Sequence, residues 1–265
     1  SYGPQVRSVG AFPRSVRLEP PSWKITREAL ENVTTSKTRI VVFNNPMNPA
    51  ARVYAPEELK VLADWCVEHD VIAVCDEVWE HVVFDGRAHT PLLALPGMAE
   101  RCVKIGSAGK IFSLTGWKVG WVCASPELAS VVAKVHQFLT FTTPPNLQRG
   151  VAYGLGKTVS YFEEMRAAYA RSRDRLAVGL EQEGFAVIPS EGTYFLNIDL
   201  AASGLNIDDE SFCKRAVVEA GVAAIPVSAF YESDPVRNVV RLCFAKKDST
   251  IDAGIERLAK ARKMM

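Results

Sequence analysis

The chain has 265 residues, 48% of them hydrophobic, and its 31 Lys and Arg against 30 Asp and Glu leave a formal net charge of +1. That balance gives no electrostatic footprint for nucleic acid or an anionic membrane, and no apolar run approaches the ~20 residues of a membrane-spanning helix. Six scattered cysteines (Cys66, Cys75, Cys102, Cys123, Cys213, Cys243) and four histidines (His69, His81, His89, His136) lack metal-ligand spacing. They argue against a zinc site or a disulfide framework, and the cysteines read as reduced core thiols of a cytoplasmic protein.

The length suits one large α/β domain or two smaller ones. A first buried strand is predicted over 39–44, from the apolar run Ile40-Val41-Val42-Phe43. It enters Asn44-Asn45-Pro46-Met47-Asn48-Pro49, where two prolines forbid a helix and fix an extended turn. Ligands of open α/β sheets bind at the carboxyl ends of strands, which places Asn48 to hydrogen-bond a ligand oxygen. An ordinary Asn-Pro turn is the alternative. Residues 55–70 read as a helix, with Pro56 in the first turn and Leu59, Leu62, Ala63 and Cys66 on one face.

A second two-sided strand over 71–76 ends in Asp76. A carboxylate there costs free energy unless it has a partner. A protonated pyridine nitrogen, a helix N-terminus or a structural ion pair would each serve. The strand at 103–107 leads into Ser107-Ala108-Gly109-Lys110-Ile111-Phe112-Ser113-Leu114-Thr115-Gly116-Trp117-Lys118. A phosphate-bearing aldehyde cofactor requires such a set: an amine to form an imine, with hydroxyls and a cation for the phosphate. Read alone, a lysine of this kind is more often a solvated loop residue.

A strand at 119–124 and an amphipathic helix at 126–141 follow. A long helix over 159–183 then carries Phe162, Met165, Tyr169 and Leu176 at helical spacing and ends at Gly184. Within the preceding segment, Gly154-Leu155-Gly156-Lys157-Thr158 ends like a P-loop. Val151 stands where its first glycine belongs, and the segment reads as helical, so nucleotide binding is rejected. Strands at 185–189, 193–199, 222–227 and 239–245, with helices at 208–220 and 249–263, make an α+β C-terminal region. Arg241 lies inside the last strand. A guanidinium there is costly unless it meets an anion, and its planar fork suits a carboxylate. A solvent-facing edge strand is the alternative. The fold class expected is α/β, a mostly parallel sheet with crossover helices followed by a smaller α+β domain.

Together and in this order, the four motifs around Asn48, Asp76, Lys110 and Arg241 resemble the fold-type I aminotransferases of class I/II. These are the pyridoxal 5′-phosphate (PLP) enzymes related to aspartate aminotransferase, and the resemblance runs from about residue 1 to the C-terminus. It implies a PLP-binding large domain over 1–160 and a small domain over 161–265. It also implies a transaminase that moves an amino group between an L-amino acid and a 2-oxo acid, acting as a cytoplasmic homodimer without a metal. By the same likeness, Lys110 forms the Schiff base and shuttles the proton between the substrate's α-carbon and the cofactor's C4′. Asp76 pairs with the pyridine nitrogen and Asn48 bonds the ring's phenolic oxygen. Ser107 and Lys118 bind the phosphate, and Arg241 takes the substrate's α-carboxylate. Segments 136–145 and 224–231 look more like the kynurenine, glutamine and methionine aminotransferase branch.

Departures from the family pattern are equally specific. The tyrosine expected after Asp-Glu-Val is Trp79, whose indole N–H either donates to the cofactor's ring oxygen or simply packs. The family's Asn-Pro-His-Asn-Pro-Thr-Gly appears as Asn45-Pro46-Met47-Asn48-Pro49-Ala50-Ala51, without the glycine. The chain opens at Ser1 where the family has a further N-terminal stretch with part of the phosphate site. A fragment of this length is therefore expected to hold PLP poorly and not to turn over. Two rivals stand beside transamination: β-elimination from cysteine conjugates on the same cofactor, and an aminotransferase-like effector domain of a transcription regulator.

Overall fold

A computed structural model describes residues 2–265. Its elements run α1 (Tyr2–Ser8), α2 (Arg27–Glu31), β1 (Ile40–Asn44), α3 (Pro56–Glu68), β2 (Ile72–Asp76), β3 (Cys102–Ser107), α4 (Ala108–Ile111), β4 (Gly120–Cys123), α5 (Pro126–Leu139) and α6 (Pro145–Leu155). They continue as α7 (Val159–Gln182), β5 (Ala186–Ile188), β6 (Phe195–Asp199), α8 (Asp209–Arg215), β7 (Ile225–Pro226), β8 (Val239–Cys243) and α9 (Asp248–Lys263). Two compact units result. One comprises Lys24–Pro46 and Val53–Glu164; the other takes the segment ending at Trp23, Met47–Arg52 and Met165–Met265.

In the first unit the sheet order is β1-β2-β3-β4, with β1, β2 and β3 parallel and β4 antiparallel to β3. The parallel strands are apolar, and in β2 buried residues alternate with half-buried ones, Ala73 and Cys75 being fully buried. Helix α3 starts where expected. Pro56 occupies its first turn, and Glu58 reaches back to the Ala55 N–H (3.3 Å) and across to the Ile25 N–H (3.1 Å). Its buried face carries Leu59, Leu62, Ala63, Trp65 and Cys66. A fully buried leucine contributes about 1.5–3 kcal/mol relative to an exposed one. Helix α5 forms as predicted but buries none of its residues, and Phe138 at its end is 87% exposed.

The second unit is an antiparallel sheet in the order β5-β6-β8-β7. Trp23, Ala50, Ile188, Val227 and Val239 pack together in its core. Helix α7 stops two residues before Gly184, whose φ of +81° provides the left-handed turn that a glycine adopts without strain. Two expectations change here. The helix predicted over 208–220 is α-helical only to Arg215, then widens into a π turn over Ala216–Ala220 and ends at Gly221 in the left-handed region. The strand predicted over 222–227 contracts to Ile225–Pro226, and a 3₁₀ turn over Val227–Phe230 replaces its end.

Candidate active site

In the unit built on β1–β4, the carboxyl ends of the neighbouring parallel strands β2 and β3 collect the first group of side chains. Asp76 is the last residue of β2 and is half-buried. Its carbonyl oxygen accepts the Asn44 side-chain amide (2.8 Å) and the Asn45 N–H (3.1 Å), and its Oδ1 accepts the Val78 N–H (3.4 Å). Trp79 follows three residues later, 2% exposed.

Ser107 ends β3 and caps α4, its Oγ accepting the Gly109 N–H at 3.2 Å. A side chain at Gly109 would meet the Thr115 Cα at 3.0 Å, and Thr115 Oγ1 already donates to the Gly109 carbonyl (2.9 Å). That close approach is why a glycine stands in the turn. Lys110 projects from α4 with its Nζ 5.0 Å from the centroid of the Trp79 ring, within reach of a cation–π contact. The chain then turns back, and Lys118 takes the left-handed conformation (φ +54°) and is exposed. The next residue, Val119, accepts the Ala108 N–H (3.1 Å), and Gly120 pairs with Ser107. Asp76, Trp79, Ser107, Lys110 and Lys118 thus lie on the two segments at and after the carboxyl ends of β2 and β3, and Lys110 meets Trp79 between those segments.

Asn48 and Arg241 belong to the other unit and meet there. Asn48 lies in the turn closed by the Met47–Arg52 bridge, and its Oδ1 accepts a hydrogen bond from Arg241 Nη1. Ala51, at the family's glycine position, holds that turn at φ +58°, a strained conformation for an alanine. Arg241 sits in mid-β8 with its guanidinium 3.9 Å from the Phe195 ring centroid and 4.9 Å from that of Phe230. Burial pulls the guanidinium below its ordinary pKa. Among the described residues no carboxylate pairs with it. A half-buried cation whose hydrogen-bond partner is a neutral amide is arranged to receive an anion.

Four residues of this second group escaped sequence reasoning. Asn197 pairs with Arg241 across the sheet and donates to the Pro49 carbonyl (2.9 Å), fastening the Asn48 turn. Phe195 and Phe230 flank the guanidinium. Thr193 is buried at φ +67°, rare for a β-branched residue, and its Oγ1 accepts the Phe195 N–H at 3.1 Å. Phe230 lies in the segment 224–231 singled out above, but no local pattern shows that it, Phe195 and Asn197 meet Arg241; only the fold brings them there.

The family model for "Aminotransferase class I and II" matches residues 1–258. The solved N-succinyldiaminopimelate aminotransferase of Mycobacterium tuberculosis superposes with a TM-score of 0.94 at 39% identity, covering 98% of this chain and 68% of that one. The methionine aminotransferase of Escherichia coli is 35% identical over 97% of this chain and 67% of its own length. For the kynurenine–oxoglutarate transaminase of Dictyostelium discoideum the figures are 37%, 91% and 60%. The chain therefore belongs to the class I and II aminotransferase family, whose members move an amino group between an amino acid and a 2-oxo acid.

Proposed function

We propose that the native protein works with pyridoxal 5′-phosphate and that Lys110 is the amine that holds it. The observation that carries the reading is the pair of strand-end segments: an amine, a carboxylate, a hydroxyl and a second cation lie within one unit. That donor set fits the cofactor group by group. Lys110 matches the aldehyde and Asp76 a protonated ring nitrogen, while Ser107 and Lys118 match the phosphate. When bound, the cofactor supplies an aldehyde that captures amines and a cationic ring that takes up the electron pair left by a departing α-proton.

The chain's own residues do the rest. Asp76 would pair with the ring nitrogen and hold a proton on it. The Lys110 Nζ takes the proton from the substrate's α-carbon and delivers it on the other side of the transfer. In the other unit, Arg241, hydrogen-bonded to Asn48, would bind the substrate's α-carboxylate in two parallel hydrogen bonds. Trp79 lines the Lys110 side of the site with its indole face.

A homodimer is part of the same reading, supported by family membership and tested by sedimentation equilibrium. The donor side chain is left open, because the relatives named above act on chemically different amino acids. A panel of amino donors and 2-oxo acids, followed through the cofactor's absorbance in the native protein, tests the proposal. Amino transfer requires the acceptor. Release of pyruvate and thiol from a cysteine conjugate without any 2-oxo acid would instead mark an elimination enzyme.

A further inference from the structure

A second charged cluster lies directly behind Asp76, and the chemistry above does not use it. Glu77 is fully buried although it is a carboxylate. Its Oε1 accepts the Leu92 N–H (3.1 Å), and its Oε2 accepts from His89 Nε2 (2.9 Å). Lys104, opposite Cys75 on β3, places its Nζ 3.9 Å from Glu77 and bonds Glu80. Burial pulls the Lys104 ammonium down, but the hydrogen bond to Glu80 and the fields of Glu80 and Glu77 outweigh it and leave its pKa above the ordinary lysine value. His89 Nδ1 is buried without a partner. A carboxylate only accepts, so Nε2 carries the shared proton, and the imidazole is held by that one bond.

Replacing such a buried ionic group by apolar residues of equal volume is often neutral or favourable for stability, so stability alone does not account for it. Direction does. Burial alternates from Ile72 through Asp76 and carries on one residue past β2, so Glu77 is buried on the side of Ala73 and Cys75 while Asp76 lies half-buried with Ile72 and Val74 on the other. The peptide between them is held on both sides. The Asp76 carbonyl accepts from Asn44 and Asn45, and the Glu77 N–H donates to the Ile105 carbonyl at 3.0 Å. The Glu77 side chain supplies the third anchor of this backbone, and the Val78 N–H at Oδ1 (3.4 Å) steadies the Asp76 carboxylate itself.

We propose that Glu77, held by His89, Lys104 and the Leu92 amide, is a positioning residue that fixes the direction of the Asp76 carboxylate. This rests on the role given to Asp76 above. A displacement of ~1 Å at a reacting group can cost about a hundredfold in rate.

The test uses the native protein loaded with pyridoxal 5′-phosphate and the variants Glu77→Gln, His89→Leu, His89→Gln and Asp76→Asn. Glu77→Gln keeps the shape but loses the charge. His89→Leu removes the donor, and His89→Gln restores one. We expect Glu77→Gln and His89→Leu to lower kcat by about ten- to a hundredfold with KM little changed. They should also alter the visible circular dichroism per bound cofactor, which reports how the ring is held, and His89→Gln should recover both signals. If Asp76→Asn is inactive while Glu77→Gln and His89→Leu match the parent in both readouts, the positioning role is wrong. If Asp76→Asn is itself active, the assignment of Asp76 fails instead. Losses that only follow the folded fraction in every cluster variant also overturn the proposal, because the cluster would then support the fold alone.

Discussion

The two units position their chemistry-bearing side chains in opposite ways. In the β1–β4 unit, five of them come from two short segments, 76–79 and 107–118, and local turns set their backbones. Ser107 caps the four-residue helix that bears Lys110, and Asp76 accepts from the backbone two residues on. In the other unit, Arg241 is held by a residue 193 positions upstream and by rings from two further elements. A local turn can present an amine or a carboxylate almost unaided. A half-buried guanidinium needs several elements folded before its partners exist. The first arrangement suits groups that take part in bond making, and the second suits a group that recognises a substrate.

If that division holds, damage to the first region should remove turnover, and damage to the second should weaken capture. Lys110→Ala should have the largest effect, lowering kcat by more than about 10⁴-fold, since it deletes both the amine and the proton carrier. Thermal unfolding of the variant should match the parent's. Asp76→Asn comes next. It keeps the shape but loses the charge, and kcat should fall by roughly a thousandfold with little change in cofactor content. Turnover within a few-fold of the parent would make Asp76 a structural carboxylate.

In the recognition region the expected effects are smaller and fall on kcat/KM. Arg241→Lys preserves charge but not the two-pronged geometry, and should cost about 2–4 kcal/mol in kcat/KM for α-amino acids. The loss should largely vanish for simple amines that lack a carboxylate; equal losses for both would mean that Arg241 supports the fold. Phe195→Leu removes the nearer ring and should raise KM by the equivalent of about 0.5–2 kcal/mol, leaving kcat nearly unchanged. A fall in kcat without a change in KM would blur the comparison and assign Phe195 to the chemistry.

How far the sequence could be read follows the same line. Asp76 and Ser107 end strands as the apolar runs predicted, and α3 begins at its proline, because patterns within a few residues determine these features. Lys110 follows the strand at 103–107 as the sequence places it, but the segment that bears it is a one-turn helix too short for any periodicity to reveal. The π turn after Arg215 packs against α9, and β7 pairs with β8, partners that no local window contains. Asn197, Phe195, Phe230 and Thr193 were silent for the same reason. An alternating strand such as 195–199 shows which residues are apolar, but not which strand will lie opposite, and here that partner carries the arginine.

The central claim is that Lys110 is the amine that bears the cofactor. Borohydride reduction of the protein with pyridoxal 5′-phosphate, followed by proteolysis and mass spectrometry, tests it most directly and does not depend on turnover. The account predicts one modified peptide, with the added mass on Lys110, and no such peptide from Lys110→Ala. Stoichiometric labelling at Lys118 or any other lysine, with Lys110 unmodified, would contradict it.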